Sequence, residues 1–242
     1  MTLLDEALEV HGSLERWRSA RQIRARVRSG GLLLRTRAPG TKMADYEITV
    51  DVQEPRSVFD PFPERGRRAV FEAGRARIET DTGEEIESRE RPRELFSGLS
   101  GLRRNLRWDA LDLTYFAGYA MWNYLTTPYL LTREGMDVDE GEPRVQDGEE
   151  WRRLNATFPD SIDTHSRRQS FYFDPDGLLR RHDYTPDVIS RFARAAHLTD
   201  AHRQAGGLVF PTRRRVVPKG PRNRALPGPT LVSIELDEIE VY

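Results

Sequence analysis

Four histidines fall within a short span of the second half of the chain: His165, His182, His197 and His202, with Asp163, Asp183 and Asp200 beside them. Two chemistries suit such a set. Two or three imidazoles and a carboxylate converging on one face can ligate a metal ion. A single imidazole can act as a general acid or base. The spacing supports neither strongly. There is no HxH or HExxH arrangement. His197 and His202 are an odd number of positions apart, so one regular strand would turn them to opposite faces. The spacing favours ordinary surface or half-buried histidines.

Other chemistries are narrowed from composition. The 242 residues include no cysteine, which removes disulfides, thiolate metal sites and cysteine nucleophiles. GLSG at 98–101 is not a nucleophile elbow, because Ser100 is followed directly by Gly101 and no central strand precedes it. No phosphate-cradling glycine pattern occurs, and no cofactor is implied. The formal net charge of -1 argues against a nucleic-acid partner, which would need an excess of cations. The runs Arg167-Arg168, Arg180-Arg181 and Arg213-Arg214-Arg215 sit in strand-like segments, where consecutive side chains point to opposite faces. The N-terminal residues carry no basic segment and no unbroken apolar stretch, as expected of a cytoplasmic chain. The apolar region 111–131 is interrupted by Asp112, Asn123 and Pro128, so no stable membrane insertion is expected.

The histidines sit on segments of clear period. Asp174-Pro175-Asp176-Gly177 has the residues of a tight turn between two strand-like runs, which predicts a β-hairpin with His182 opposite Gln169 or Ser170. Ile23, Ala25 and Val27 alternate with Arg24, Arg26 and Arg28. Tyr46, Ile48 and Val50 alternate with Asp45, Glu47, Thr49 and Asp51. The basic wet face of one and the acidic wet face of the other suit neighbouring strands. Residues 67–92 read as a meander of two or three strands, with turns at Gly74 and Gly83. Six more strand candidates follow residue 150, and a phase slip in the last predicts a bulge near Asp237-Glu238. Residues 2–18 read as one helix or two short ones broken at His11-Gly12. The pattern predicts a single α+β domain over 1–242. Its core is one curved antiparallel sheet, a half-barrel of about ten to eleven strands, with an N-terminal helix.

The middle of the chain is different. WDALDLTYFAGYAMWNYLTTPYLL, 108–131, predicts a helix capped by Asp109 and ended at Thr127-Pro128. Leu111, Tyr115, Tyr119 and Trp122 form one stripe; Leu113, Phe116, Ala120 and Tyr124 form another. A helix apolar on opposite sides must be buried on both, so it plugs the sheet. Either it fills the core or it closes a cavity. Tyrosine hydroxyls among apolar walls suit the second, because small apolar ligands are held that way.

The order of elements also resembles a family. EALEVHGSLERWRSARQIRARVRSGG, a helix followed by HG, a Trp and an alternating strand, is similar to the start of the LolA-like superfamily, and FYFDPDGLLRRHDY resembles a hairpin of its later half. The resemblance implies an incomplete antiparallel barrel wrapped over helices, with an apolar cavity that takes acyl chains. It departs from the periplasmic carriers in lacking a signal-like segment and a lipobox cysteine. The expectation is therefore a soluble binding protein for an apolar or amphipathic small molecule (lipid, acyl or polyketide-like), held between the sheet and the helix at 108–126. Its expected contacts are Tyr115, Phe116, Tyr119, Trp122 and Tyr124, with His182 or His197 orienting a polar group. Two alternatives stay open: an enzyme using a histidine in the same cavity, and a structural protein with a filled core.

Overall fold

The computed structural model describes residues 1–40, 43–97, 101, 103–104, 106–146, 148–190 and 192–242. The Ser100 motif thus falls outside the described residues. The period-two signals become strands as expected. Strand β1 (Gln22–Gly30) buries Ile23, Ala25 and Val27 and leaves its arginines wet. Its neighbour β2 (Asp45–Asp51) lies antiparallel to it, so the opposite wet faces meet. Arg24 pairs with Glu47, and Arg26 clasps Asp45 with two hydrogen bonds at 3.0 and 2.9 Å.

Two meanders grow in opposite directions from the centre of one sheet. The first runs from β1 through β2, β3 (Arg56–Asp60), β4 (Arg67–Glu72) and β5 (Arg75–Thr80) to β6 (Glu85–Glu90) at one edge. The second starts at the far edge with β7 (Asp137–Gln146). It returns through β8 (Glu149–Thr157), β9 (Arg168–Phe173), β10 (Leu179–Tyr184), β11 (Ala195–Ala205) and β12 (Leu208–Pro218) to β13 (Val232–Val241). Strands β13 and β1 pair antiparallel and join the halves. The phase slip is a bulge: Arg24 faces Glu240 but Arg26 faces Asp237, and Glu238 takes a left-handed φ of 50°.

Among the described residues the sheet has thirteen strands rather than ten or eleven. The two unforeseen strands carry weak signals for physical reasons. Strand β3 is only five residues long and is followed by Pro61 and Pro63. Strand β7, DVDEGEPRVQ, is an edge strand wet on both faces, so it has no apolar alternation to read. Its charges, Pro143 and the register break after Gly141 are the features that blunt a sheet edge.

The N-terminal segment is two helices, α1 (Leu3–Val10) and α2 (Leu14–Ser19), separated at Gly12, whose φ is 118°. A further helix, α3 (Leu32–Arg37), was not foreseen; it is one LLLRTR run between Gly31 and Pro39. The aromatic helix α4 (Ala110–Thr126) begins as expected. Asp109 caps it and forms a reciprocal capping box with Asp112. Thr127 is extended before Pro128 and ends it. No helix among the described residues is long and apolar enough to cross a membrane.

Helix α4 lies in the concavity. One side packs on β2 to β5, and Gly118 allows the approach: a Cβ there would stand 2.2 Å from Phe71 Cβ. Ser57 of β3 donates to the Gly118 carbonyl at 3.1 Å. The C-terminal turn reaches the other half of the sheet through Tyr124, which touches Tyr184 of β10 and Arg214 of β12. One helix bonded to both halves means that the open sheet is curved around it.

Candidate functional site

Between α3, the second half of α4 and the centre of the sheet lies a cavity of about 380 Å³. Its helix wall is the Phe116, Ala120, Tyr124 stripe together with Ala117 and Met121. Ala117 and Ala120 are the reason the space exists, because methyl groups stand where longer side chains would fill the gap. Leu33 and Leu34 of α3 form the facing wall, and Val216 and Ile234 of the sheet form the base. The loop from β10 to β11 supplies the mouth with Phe192, which is 77% exposed. In that connection residues 187–189 make a turn, and the other described residues before β11 have no regular structure.

The expected contacts divide sharply. Phe116 and Tyr124 line the cavity. Trp122 lies on the far side of α4, where its indole N–H donates to the Asp51 carbonyl at 2.9 Å and Arg133 stacks on its ring. Tyr115 donates to Asp163 at 2.6 Å. Tyr119 bonds His165 at 3.2 Å, behind the cavity wall. His182 and His197 are on the concave side but behind Tyr124, and they do not line the cavity.

The histidines are not surface residues. His11, His165, His182 and His197 are buried, and His202 is half-buried. A left-handed φ of 54° at Ala201 breaks the alternation of β11 between His197 and His202. Thr199 and His202 then share the Leu179 carbonyl as acceptor, so His197 and His202 do not take the opposite faces that a regular strand would give. A register shift in β10 sets His182 opposite Phe171, not Gln169 or Ser170. Its Nε2 still reaches Gln169 Oε1 at 2.5 Å.

The result is a layer of rings behind the cavity. His165 stacks on Tyr184 with centroids 3.9 Å apart. Its Nε2 lies 2.6 Å from the Tyr124 hydroxyl and its Nδ1 lies 3.2 Å from the Tyr119 hydroxyl. A neutral imidazole donates from one nitrogen only, so one tyrosine donates to the ring and the other accepts from it. Tyr124 and Tyr184 hydroxyls are 3.0 Å apart, and both residues border the cavity. Burial lowers every one of the five histidine pKa values: His11 and His202 to about 4, His165 to about 3, and His182 and His197 well below the ordinary range. The Arg214 guanidinium adds to this for His11, His182, His197 and His202. All five are neutral at pH 7. None of their hydrogen bonds goes to a carboxylate, and no metal-holding cluster occurs among the described residues.

Three groups at this site escaped the sequence pattern. Leu33 and Leu34 are legible only as a leucine run between glycines. Tyr184 follows His182 at strand spacing and could have been placed on the same face. Arg214 sits in an arginine run whose neighbours are wet, and nothing local marks it as the inward one.

No family profile and no curated protein sequence matches the chain. Solved structures do. A LolA superfamily protein from Nitrosomonas europaea is 12% identical with a TM-score of 0.51, over 99% of this chain and 92% of that one. A DUF1329 family protein from Desulfovibrio piger is 13% identical with a TM-score of 0.52, over 99% of this chain and 91% of that one. The likeness spans both meanders and the central helix, and the chain has a LolA-like fold.

Proposed function

We propose that this protein binds an apolar or amphipathic small molecule, of lipid, acyl or polyketide type, between the curved sheet and α4. The observation that carries this reading is the cavity of about 380 Å³, whose walls are mostly apolar, with a few polar residues (Ser29, Tyr46, Tyr124 and Tyr184) and the charged groups at its mouth. Small-molecule sites have roughly 300–1,000 Å³ and this mixture of apolar wall and few polar groups. The LolA-like fold supports the same reading. A scaffold with a filled core would leave no such volume, so the hollow favours a container. The contacts assigned are Phe116, Ala120 and Tyr124 with Leu33 and Leu34; Tyr115, Tyr119 and Trp122 hold the helix in place.

A second reading has one supporting observation. Tyr184, Tyr124 and His165 form a hydrogen-bonded chain from the cavity wall inward, and such a chain can move a proton. The neutral His165 and its lack of a carboxylate partner make it a weaker case than binding.

The test is native mass spectrometry of the purified protein, followed by solvent extraction. A co-purifying apolar compound that is lost in Ala120→Trp is the expected result. Mass spectra that show bare protein only, with no apolar ligand taken up from added lipid extract, would contradict the reading.

A further inference from the structure

The charges on the cavity wall are all of one sign. In a chain with 39 acidic and 38 basic residues, the ionisable groups lining the cavity among the described residues, besides tyrosine, are Arg194 and Lys219. They are cross-strand neighbours: Ala195 pairs with Pro218, and the Lys219 N–H donates to the Arg194 carbonyl at 2.8 Å. Like charges set opposite each other on paired strands cost stability. Lys219 is held at 3.2 Å by Asp183 Oδ2. That carboxylate is already clasped by Arg181 at 2.6 and 3.0 Å, so the Arg181–Asp183–Lys219 group keeps one positive charge. Arg194 is exposed and makes no ion pair with a described residue. The mouth therefore carries positive charge, while the floor at Tyr124 and Tyr184 is uncharged.

From this we infer that the ligand is a single-chain amphiphile with an anionic head group, its chain inward along Ala117 and Ala120 and its head at Arg194 and Lys219. The inference rests on the cavity being a binding site and adds the charge and orientation of the ligand. The volume, near the low end of the range for small-molecule sites, suits one chain rather than several. Lys219 also borders an outer polar cleft with Asp137 and Asp139, so Arg194 is the head-group contact to vary.

Three probes of equal chain length separate the claims: laurate, lauryl alcohol and lauryltrimethylammonium, titrated into the full chain at neutral pH and low salt. Laurate should bind tighter than the alcohol by roughly 1.5- to fivefold, the range for an exposed ion pair. The cation should bind weakest, and added salt should shrink the differences. Arg194→Glu should bring laurate to or below the alcohol, weakening laurate by a larger factor than it changes the alcohol. Equal affinity for acid and alcohol, or an Arg194→Glu effect on both alike, overturns the head-group inference and leaves the cavity reading standing. Failure of all three probes to bind overturns the cavity reading and this one with it.

Discussion

Arg214 Nη2 donates to the main-chain carbonyl of Tyr124 at 2.9 Å, from a position only 2% exposed. The helix itself cannot supply that donor. Four residues beyond Tyr124 stands Pro128, which has no N–H. The cation thus satisfies an orphaned carbonyl, and its guanidinium also lies 5.3 Å from the Tyr124 ring centroid. Yet among the described residues no carboxylate pairs with it and its Nε has no partner. Burial lowers its pKa to about 10, which leaves it charged at pH 7.

Two opposing effects decide what Arg214 contributes. The charged hydrogen bond is worth about 1.5–3 kcal/mol. Burying a cation without a counter-ion costs several kcal/mol, and replacing buried charge with an apolar chain of similar size is often neutral or stabilising. Arg214→Met is therefore expected to change stability by less than about 1 kcal/mol or to raise it. Urea unfolding measures this, and a loss above about 3 kcal/mol would show that the cation is better compensated than its geometry indicates.

The histidines set the acid limit of the fold. In the unfolded chain each titrates near 6.5; in the fold burial lowers all five. Below pH 6.5 the unfolded chain binds more protons, so stability is complete above that pH and is lost as pH falls toward 4. At about 1.4 kcal/mol per pKa unit, even two such groups shift stability by several kcal/mol. Thermal unfolding midpoints should fall steeply between pH 6.5 and 4.5. A flat profile across that window would mean that the rings are not buried neutral.

Tyr124 has separable roles in wall and network. Tyr124→Phe keeps the ring against the cavity but leaves one His165 nitrogen and the Tyr184 hydroxyl short of a partner. The expected cost is about 1–3 kcal/mol of stability. Calorimetry should record that loss while a neutral apolar probe binds as tightly as before. An undiminished melting temperature would remove the network from the account.

Trp122 is a packing residue, and its substitution should behave as one. It is fully buried on the face of α4 away from the cavity. Trp122→Ala should cost about 3–5 kcal/mol. Chemical denaturation would show this, and whatever fraction remains folded should retain its affinity for apolar probes.

The sequence was most readable where one face of an element is dry and the other wet. Strands β1 and β2, the bulge at Asp237-Glu238 and both ends of α4 carry local signals that survive in the fold. Strand β7 was not readable because an edge strand has no dry face. Helix α3 was not readable because six residues make less than two turns of periodicity. For the site, α4 is apolar on every side, so the composition placed the helix inside without saying which stripe faces the hollow. The packing of Gly118 against Phe71 decides it, and that contact joins residues far apart in the chain. The burial of the histidines is not readable in the sequence because their direction depends on single irregular positions, the register shift in β10 and the left-handed Ala201.

The central claim is that a greasy hollow bordered by Ala120 is open to a guest. Titration with the uncharged dye N-phenylnaphthylamine tests it most directly, comparing the parent with Ala120→Trp and Trp122→Ala. Saturable dye fluorescence in the parent and in folded Trp122→Ala, with loss in Ala120→Trp, is the predicted result. A parent that shows no saturable binding, or an Ala120→Trp variant that binds as the parent does, would contradict it.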